Sequence, residues 1–251
     1  MQQENNVHKS LIALFQLFKN TFSNEEYIVL NKFAISFLWK FHLSEYHREE
    51  ISDAFIRELS CSKQTEYIES LKGIFSVFST NSGNSKYRIA FFKSEAHLIA
   101  FAQNLHSTAD ICAHIITYCI TNLKGLDLEN ESRINLHFVK KQVDKPETQN
   151  LKTTIITLLD SKEFQYLSAF VNTIKHKEII STNDFVSFET QPNPSRYLKI
   201  ESFSYKKKQY ESILSSELSE KYFTSLQELY CAIFNELKNH VGGLKPAPNK
   251  Q

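Results

Sequence analysis

Glycine and proline are scarce. Five of each in 251 residues leave few places where a helix would break, so the shortage points to a chain dominated by helices. Methionine and tryptophan occur once each, so the core has to come from 20 phenylalanines, 11 tyrosines and the aliphatic residues, and a hydrophobic content of 41% is enough to build one. An excess of charge is missing too. Lys and Arg number 29 against 28 Asp and Glu, and the net +1 provides no global field toward nucleic acid or membrane, so any such contact has to be local. No apolar run approaches the roughly 20 residues that span a bilayer. The opening MQQENNVHKS has no basic segment followed by an apolar one. A cytoplasmic protein without membrane contact is the expectation. Cys61, Cys112, Cys119 and Cys231 are scattered with no CxxC pair, which predicts reduced thiols buried as small hydrophobes.

What is present reads as helices. Leu11, Leu14, Phe15 and Phe18 form a first stripe, and SNEE at 23–26 is a capping box opening a helix through Trp39. Stripes at Ile51, Phe55, Ile56 and Leu59, and at Ile68, Leu71, Phe75 and Phe78, complete an N-terminal helical region over residues 1–85. STNSGNSK, residues 79–86, is the clearest polar break. A long helix over about 93–121 follows, with Leu98, Phe101, Ala102, Leu105, Ala109, Cys112, Ile116 and Cys119 on one side. Residues 133–143 fit a strand or a helical turn. DKPE at 144–147 predicts a helix start with Asp144 as its cap. In LDSKEFQYLSAFVNTIKHKEII, Phe164, Leu167, Val171 and Ile174 face one way and Gln165, Ser168, Asn172 and His176 another. Alternation appears only after Phe185, where FVSFE and YLKIESFSY flank QPNPSR, predicting one β-hairpin at about 184–206 packed on the helices. A final helix carries Phe223, Leu226, Leu229, Tyr230, Ile233, Phe234 and Leu237 and ends at Gly242 and Gly243, leaving 244–251 as a disordered tail. The fold class is therefore all-α, a helical bundle at 86–243 with a β-hairpin insertion and an N-terminal helical extension.

Two clusters could carry chemistry. His106, Asp110 and His114 recur every four residues opposite the apolar stripe. They fit two ligands of a metal site completed from elsewhere, a polar seam facing the Asn172 and His176 helix or a second subunit with Asp110 orienting a histidine, or a hydrated face. No HExxH or CxxC supports a metal. Lys206, Lys207 and Lys208, between Tyr205 and Tyr210, are the densest basic run and fit either a solvated turn or an RNA-touching patch. G-x-S-x-G, G-x-G-x-x-G and G-x4-G-K-[ST] are all absent, which removes the commonest hydrolase and nucleotide-binding classes, and no cofactor is expected.

VNTIKH, residues 171–176, together with HSTAD at 106–110, resembles the HEPN superfamily, helical proteins of which many are ribonucleases or inactive relatives in bacterial defence and toxin systems. The similarity runs over about residues 90–242, and a branch of bacterial proteins with an F-V-N-T-x-K-H stretch is the nearer likeness. The family's motif is an Arg, a polar residue, three variable residues and a His. Asn172 and His176 match it, and Val171 stands where the arginine would be. The resemblance implies a homodimer with an RNA cleft between two copies of the motif. Taken together with the clusters above, it gives a candidate catalytic set of Asn172, Lys175, His176, His106 and Asp110, with Lys175, Lys177, Lys206, Lys207 and Lys208 as candidate RNA contacts. Without the arginine, a metal-independent ribonuclease lacks a fixed cation for the pentacoordinate phosphate. Three functions stay open: a weak or inactive ribonuclease binding RNA or a nucleotide, a non-catalytic helical or antitoxin-like module holding a partner from an adjacent gene, and a metal-dependent hydrolase.

Overall fold

A computed structural model gives the fold and describes residues 5–59, 85–121, 133–187 and 195–244. Among these residues the chain is mostly helical. In order they form α1 (Asn5–Thr21), α2 (Asn24–Leu59), α3 (Ser85–Thr121), α4 (Leu136–Gln142), a short 3-10 turn (Pro146–Thr148), α5 (Gln149–Asp160) and α6 (Lys162–His176). Strands β1 (Thr182–Ser187), β2 (Ser195–Ile200), β3 (Phe203–Tyr205), β4 (Lys208–Tyr210) and β5 (Ile213–Leu214) follow, and α7 (Phe223–Gly242) comes last.

Several boundaries differ from the sequence reading, each for a local reason. The expected break after Trp39 does not occur, because no glycine or proline lies between residues 24 and 59 and α2 runs unbroken through 36 residues. For the same reason α3 begins at Ser85 and not near residue 93. Its start is inside the polar stretch read as a break. Residues 136–142 are a helix, capped by Asn135, whose Oδ1 accepts from the Phe138 N–H at 3.0 Å. Asp144 is not a helix cap: its carboxylate pairs with Lys152, and Pro146 opens a 3-10 turn ahead of α5. The single hairpin becomes two. β1 pairs antiparallel with β2, β5 adds to the far edge of β2, and β3 with β4 forms a separate two-stranded hairpin. The Ile68, Leu71, Phe75 and Phe78 stripe, Cys61 and the tail from Lys245 onward lie outside the described residues. The capping box forms as read, with Ser23 N–H donating to Glu26 at 2.8 Å and Glu26 N–H donating to Ser23 Oγ at 3.4 Å.

The chain divides into two compact units; three of the four boundaries fall inside α2, α3 and α6, and the fourth falls in the short π-helical segment Glu217–Tyr222 ahead of α7. The first holds residues 1–42, 105–165 and 222–251. Its core joins Leu11, Leu14 and Phe18 of α1, Leu30 and Phe37 of α2, Leu105, Cys112 and Ile116 of α3, and Tyr230, Phe234 and Leu237 of α7, all fully buried. Phe37 meets Tyr230 and Phe234 edge-on at 5.3 and 5.0 Å, the geometry the aromatic quadrupole favours. The Tyr230 hydroxyl is hydrogen-bonded to Thr108 Oγ1 at 2.9 Å, which satisfies a phenol deep in this core.

The second unit holds residues 43–104 and 166–221. Here α2 and α3 run against each other in opposite directions, with the Ser94 hydroxyl donating to Ile51 O at 2.6 Å and Ala54 and Ala90 both buried near that contact. Thr182 of β1 donates to Glu95 of α3 at 2.8 Å. The β3–β4 hairpin sits on α6 through aromatic rings. Tyr166 points its edge at Phe203 (5.4 Å) and Tyr210 (5.9 Å), while Phe203 and Tyr210 stack at 5.2 Å. Burying such rings contributes roughly 1.5–3 kcal/mol apiece, so the base of the hairpin is fixed to the helix.

Candidate functional site

The α6 helix starts at Ser161, whose Oγ accepts from the Phe164 N–H at 3.2 Å, and ends at His176. Its buried side is wider than the stripe read from sequence, because Tyr166, Ala169, Phe170 and Thr173 join Phe164, Leu167 and Val171. Val171 is 0% exposed, so the position aligned with the family's arginine lies in the core. Asn172 is half-buried and folds back on its own helix, with Nδ2 donating to Ser168 O at 2.7 Å and Ser168 Oγ at 3.3 Å. Lys175 and His176 are exposed at the helix end.

His106 and Asp110 belong to the unit with residues 105–165, whereas Asn172, Lys175 and His176 belong to the other, so neither unit by itself holds all five candidate residues. His106 is half-buried and stacks on Phe164, with centroids 6.1 Å apart and planes within 6°. His114 stacks on Phe33 at 4.9 Å and 4°. Asp110 alone of the three is exposed, and both histidines are half-buried. Among the described residues, no group of three or more His, Cys, Asp or Glu is placed to hold a metal ion. Cys112 and Cys119 are buried, and burial pushes both thiols well above their ordinary range; the thiol of the half-buried Cys231 is raised for the same reason. None is poised as a thiolate nucleophile.

The basic residues fare differently, because the fold brings two of their groups together. Lys206 and Lys207 are the two central residues of the β3–β4 turn, and both have left-handed backbones, with φ of 48° and 65°. Asparagine and glycine are the residues that favour such a turn. Lys206 Nζ lies 5.3 Å from the centre of the Tyr205 ring, and Lys177, from the end of α6, places its Nζ 5.5 Å from the same ring. Lys208 Nζ is 5.1 Å from the Tyr210 ring. Lys175, Lys177 and all three turn lysines are exposed. Burial and then the neighbouring Tyr205 raise the Tyr210 hydroxyl pKa, so that phenol stays neutral and offers a hydrogen-bond donor. The lysine run between Tyr205 and Tyr210 was readable as a solvated hairpin turn, but the approach of Lys177 to Tyr205 joins positions 28 residues apart and left no local signal.

No family model matches the chain, and comparison with curated proteins and with solved structures finds no match. No described helix is long and apolar enough to cross a membrane.

Proposed function

We propose that this chain is a HEPN-like RNA-binding protein with little or no ribonuclease activity, and that it holds RNA on the face made by the β3–β4 turn and the C-terminal end of α6. Lys206 and Lys207 carry the reading. Two lysines occupy left-handed positions that each cost a non-glycine residue about 1–2 kcal/mol. Strained residues of this kind cluster at functional sites. Lys177 and Lys206 both approach the ring of one tyrosine and so bring two cations from separate segments to the same place, where a phosphodiester backbone could meet both. Weak catalysis follows from Val171. A guanidinium at a fully buried position cannot reach a scissile phosphate, and Lys175 lacks arginine's bidentate fork. Binding of a fluorescent single-stranded oligoribonucleotide at a series of salt concentrations tests the proposal. The affinity should fall steeply with salt, and K177A/K206A/K207A should flatten the slope by about 0.7 for each phosphate that is no longer neutralised. Salt-independent binding, or an unchanged slope in the triple variant, would overturn it.

A helical interaction module is the second reading, favoured by Ile28, Ile35 and Trp39, which line one side of α2 and remain 49%, 47% and 65% exposed. A large apolar stripe left in water suits a second copy of the chain. I35E/W39E would then abolish self-association in sedimentation while leaving RNA binding intact. A wild type that sediments as a monomer would remove this reading.

A further inference from the structure

Within the second unit, two histidines meet where α2 packs on α3. His47 Nδ1 and His97 Nδ1 are 2.9 Å apart, a hydrogen-bond distance between two ring nitrogens. The ring centres are 5.2 Å apart, the separation expected when each Nδ1 sits on the line joining them. Two imidazoles converging on one metal ion would angle their lone pairs to a point off that line and bring the rings closer for the same nitrogen contact. A head-on pair instead shares one proton, one nitrogen donating and the other accepting. We propose that His47 and His97 form a proton-sharing clamp that fastens α2 to α3 at neutral pH and opens when a second proton binds.

The surroundings favour a clamp that holds a single proton. Both rings are half-buried, and Tyr46 lies beside the pair, 5.1 Å from the His47 ring and 6.1 Å from that of His97. One turn away, the Ser94 hydroxyl donates to Ile51 O, so the helices have a second polar tie on the same side. Glu50 on α2 is the carboxylate that favours protonation of His47, and Arg48 and Glu49 lie between the two in sequence. On α3 the charged residues within a turn are Lys93 and Glu95, and Glu95 accepts from the Thr182 hydroxyl. Burial first and then the facing His97 hold the His47 pKa below its ordinary 6.5, against the pull of Glu50. A histidine with a lowered folded pKa binds fewer protons folded than unfolded. Its contribution to stability is therefore complete above the unfolded value and is lost as pH falls from there through the folded value.

NMR on the full chain with nitrogen-15-labelled imidazoles tests the clamp directly. At neutral pH the two Nδ1 atoms should show a coupling transmitted through the shared hydrogen bond, and the coupling should vanish as the pair takes up its second proton. Two imidazoles that titrate independently, with no coupling at any pH, would overturn the proposal. His97→Asn supplies a second readout, because an amide oxygen accepts from protonated and neutral His47 alike. Urea midpoints at about pH 7.5 and about pH 5 should fall more on acidification in the wild type than in His97→Asn. Equal falls in the two proteins would overturn the clamp as well.

Discussion

Replacing Lys206-Lys207 by Asn-Gly should raise the stability of this protein and weaken the RNA binding proposed for it in the same variant. The two lysines have φ of 48° and 65° at the centre of a two-residue turn, a conformation that asparagine and glycine adopt with little strain. Relief at both positions, offset by the greater freedom of glycine in the unfolded chain, should net about 1–2 kcal/mol. For a chain of this size that corresponds to roughly 2–8 °C in melting temperature. The strands beside the turn are short, and their register of Phe203 with Tyr210 and Tyr205 with Lys208 is what Asn-Gly would preserve. Leaving two phosphates without a cation, each with a single-strand slope of about 0.7, should weaken RNA binding roughly 10- to 30-fold at 0.1 M salt. Differential scanning fluorimetry and fluorescence anisotropy on one preparation provide both readings. A lower melting temperature would refute the strain argument. A higher one with unchanged affinity would refute the assignment of the turn to RNA.

Three further outcomes follow from the packing and the caps. Val171→Arg should unfold the protein or destabilise it by about 3–5 kcal/mol without creating nuclease activity, because the position is fully buried; a stable variant that cuts RNA would put the side chain at the surface. Tyr166→Ala should cost about 3–5 kcal/mol by opening a hole beneath Phe203 and Tyr210, read from urea midpoints. Ser23→Ala should cost about 1 kcal/mol by breaking the capping box at the start of α2, measured the same way.

The helical stripes were legible because burial imposes a period: every residue read onto the apolar side of α3, from Leu98 to Cys119, is buried. The capping box at Ser23 was equally readable, since both of its bonds are local. Helix ends were harder. α2 continues past Trp39 because nothing in its sequence stops it, and a change of stripe looks the same as a change of helix. Asp144 had the right residue type for a cap and was drawn to Lys152 two turns on. At the candidate site, the turn lysines were visible as a run, whereas the approach of Lys177 to Tyr205 and of His47 to His97 depends on distant segments packing side by side. The same limit applied to the polar reading of His106 and His114, whose rings lie flat on Phe164 and Phe33.

The proposed RNA site lies on one face, and photo-crosslinking followed by mass spectrometry tests it. A single-stranded RNA carrying 4-thiouridine should crosslink to the peptide spanning Tyr205 to Tyr210 and to the one containing Lys177, and excess salt should abolish both. Crosslinks confined to other segments, or none at RNA concentrations that saturate a binding isotherm, would contradict the assignment.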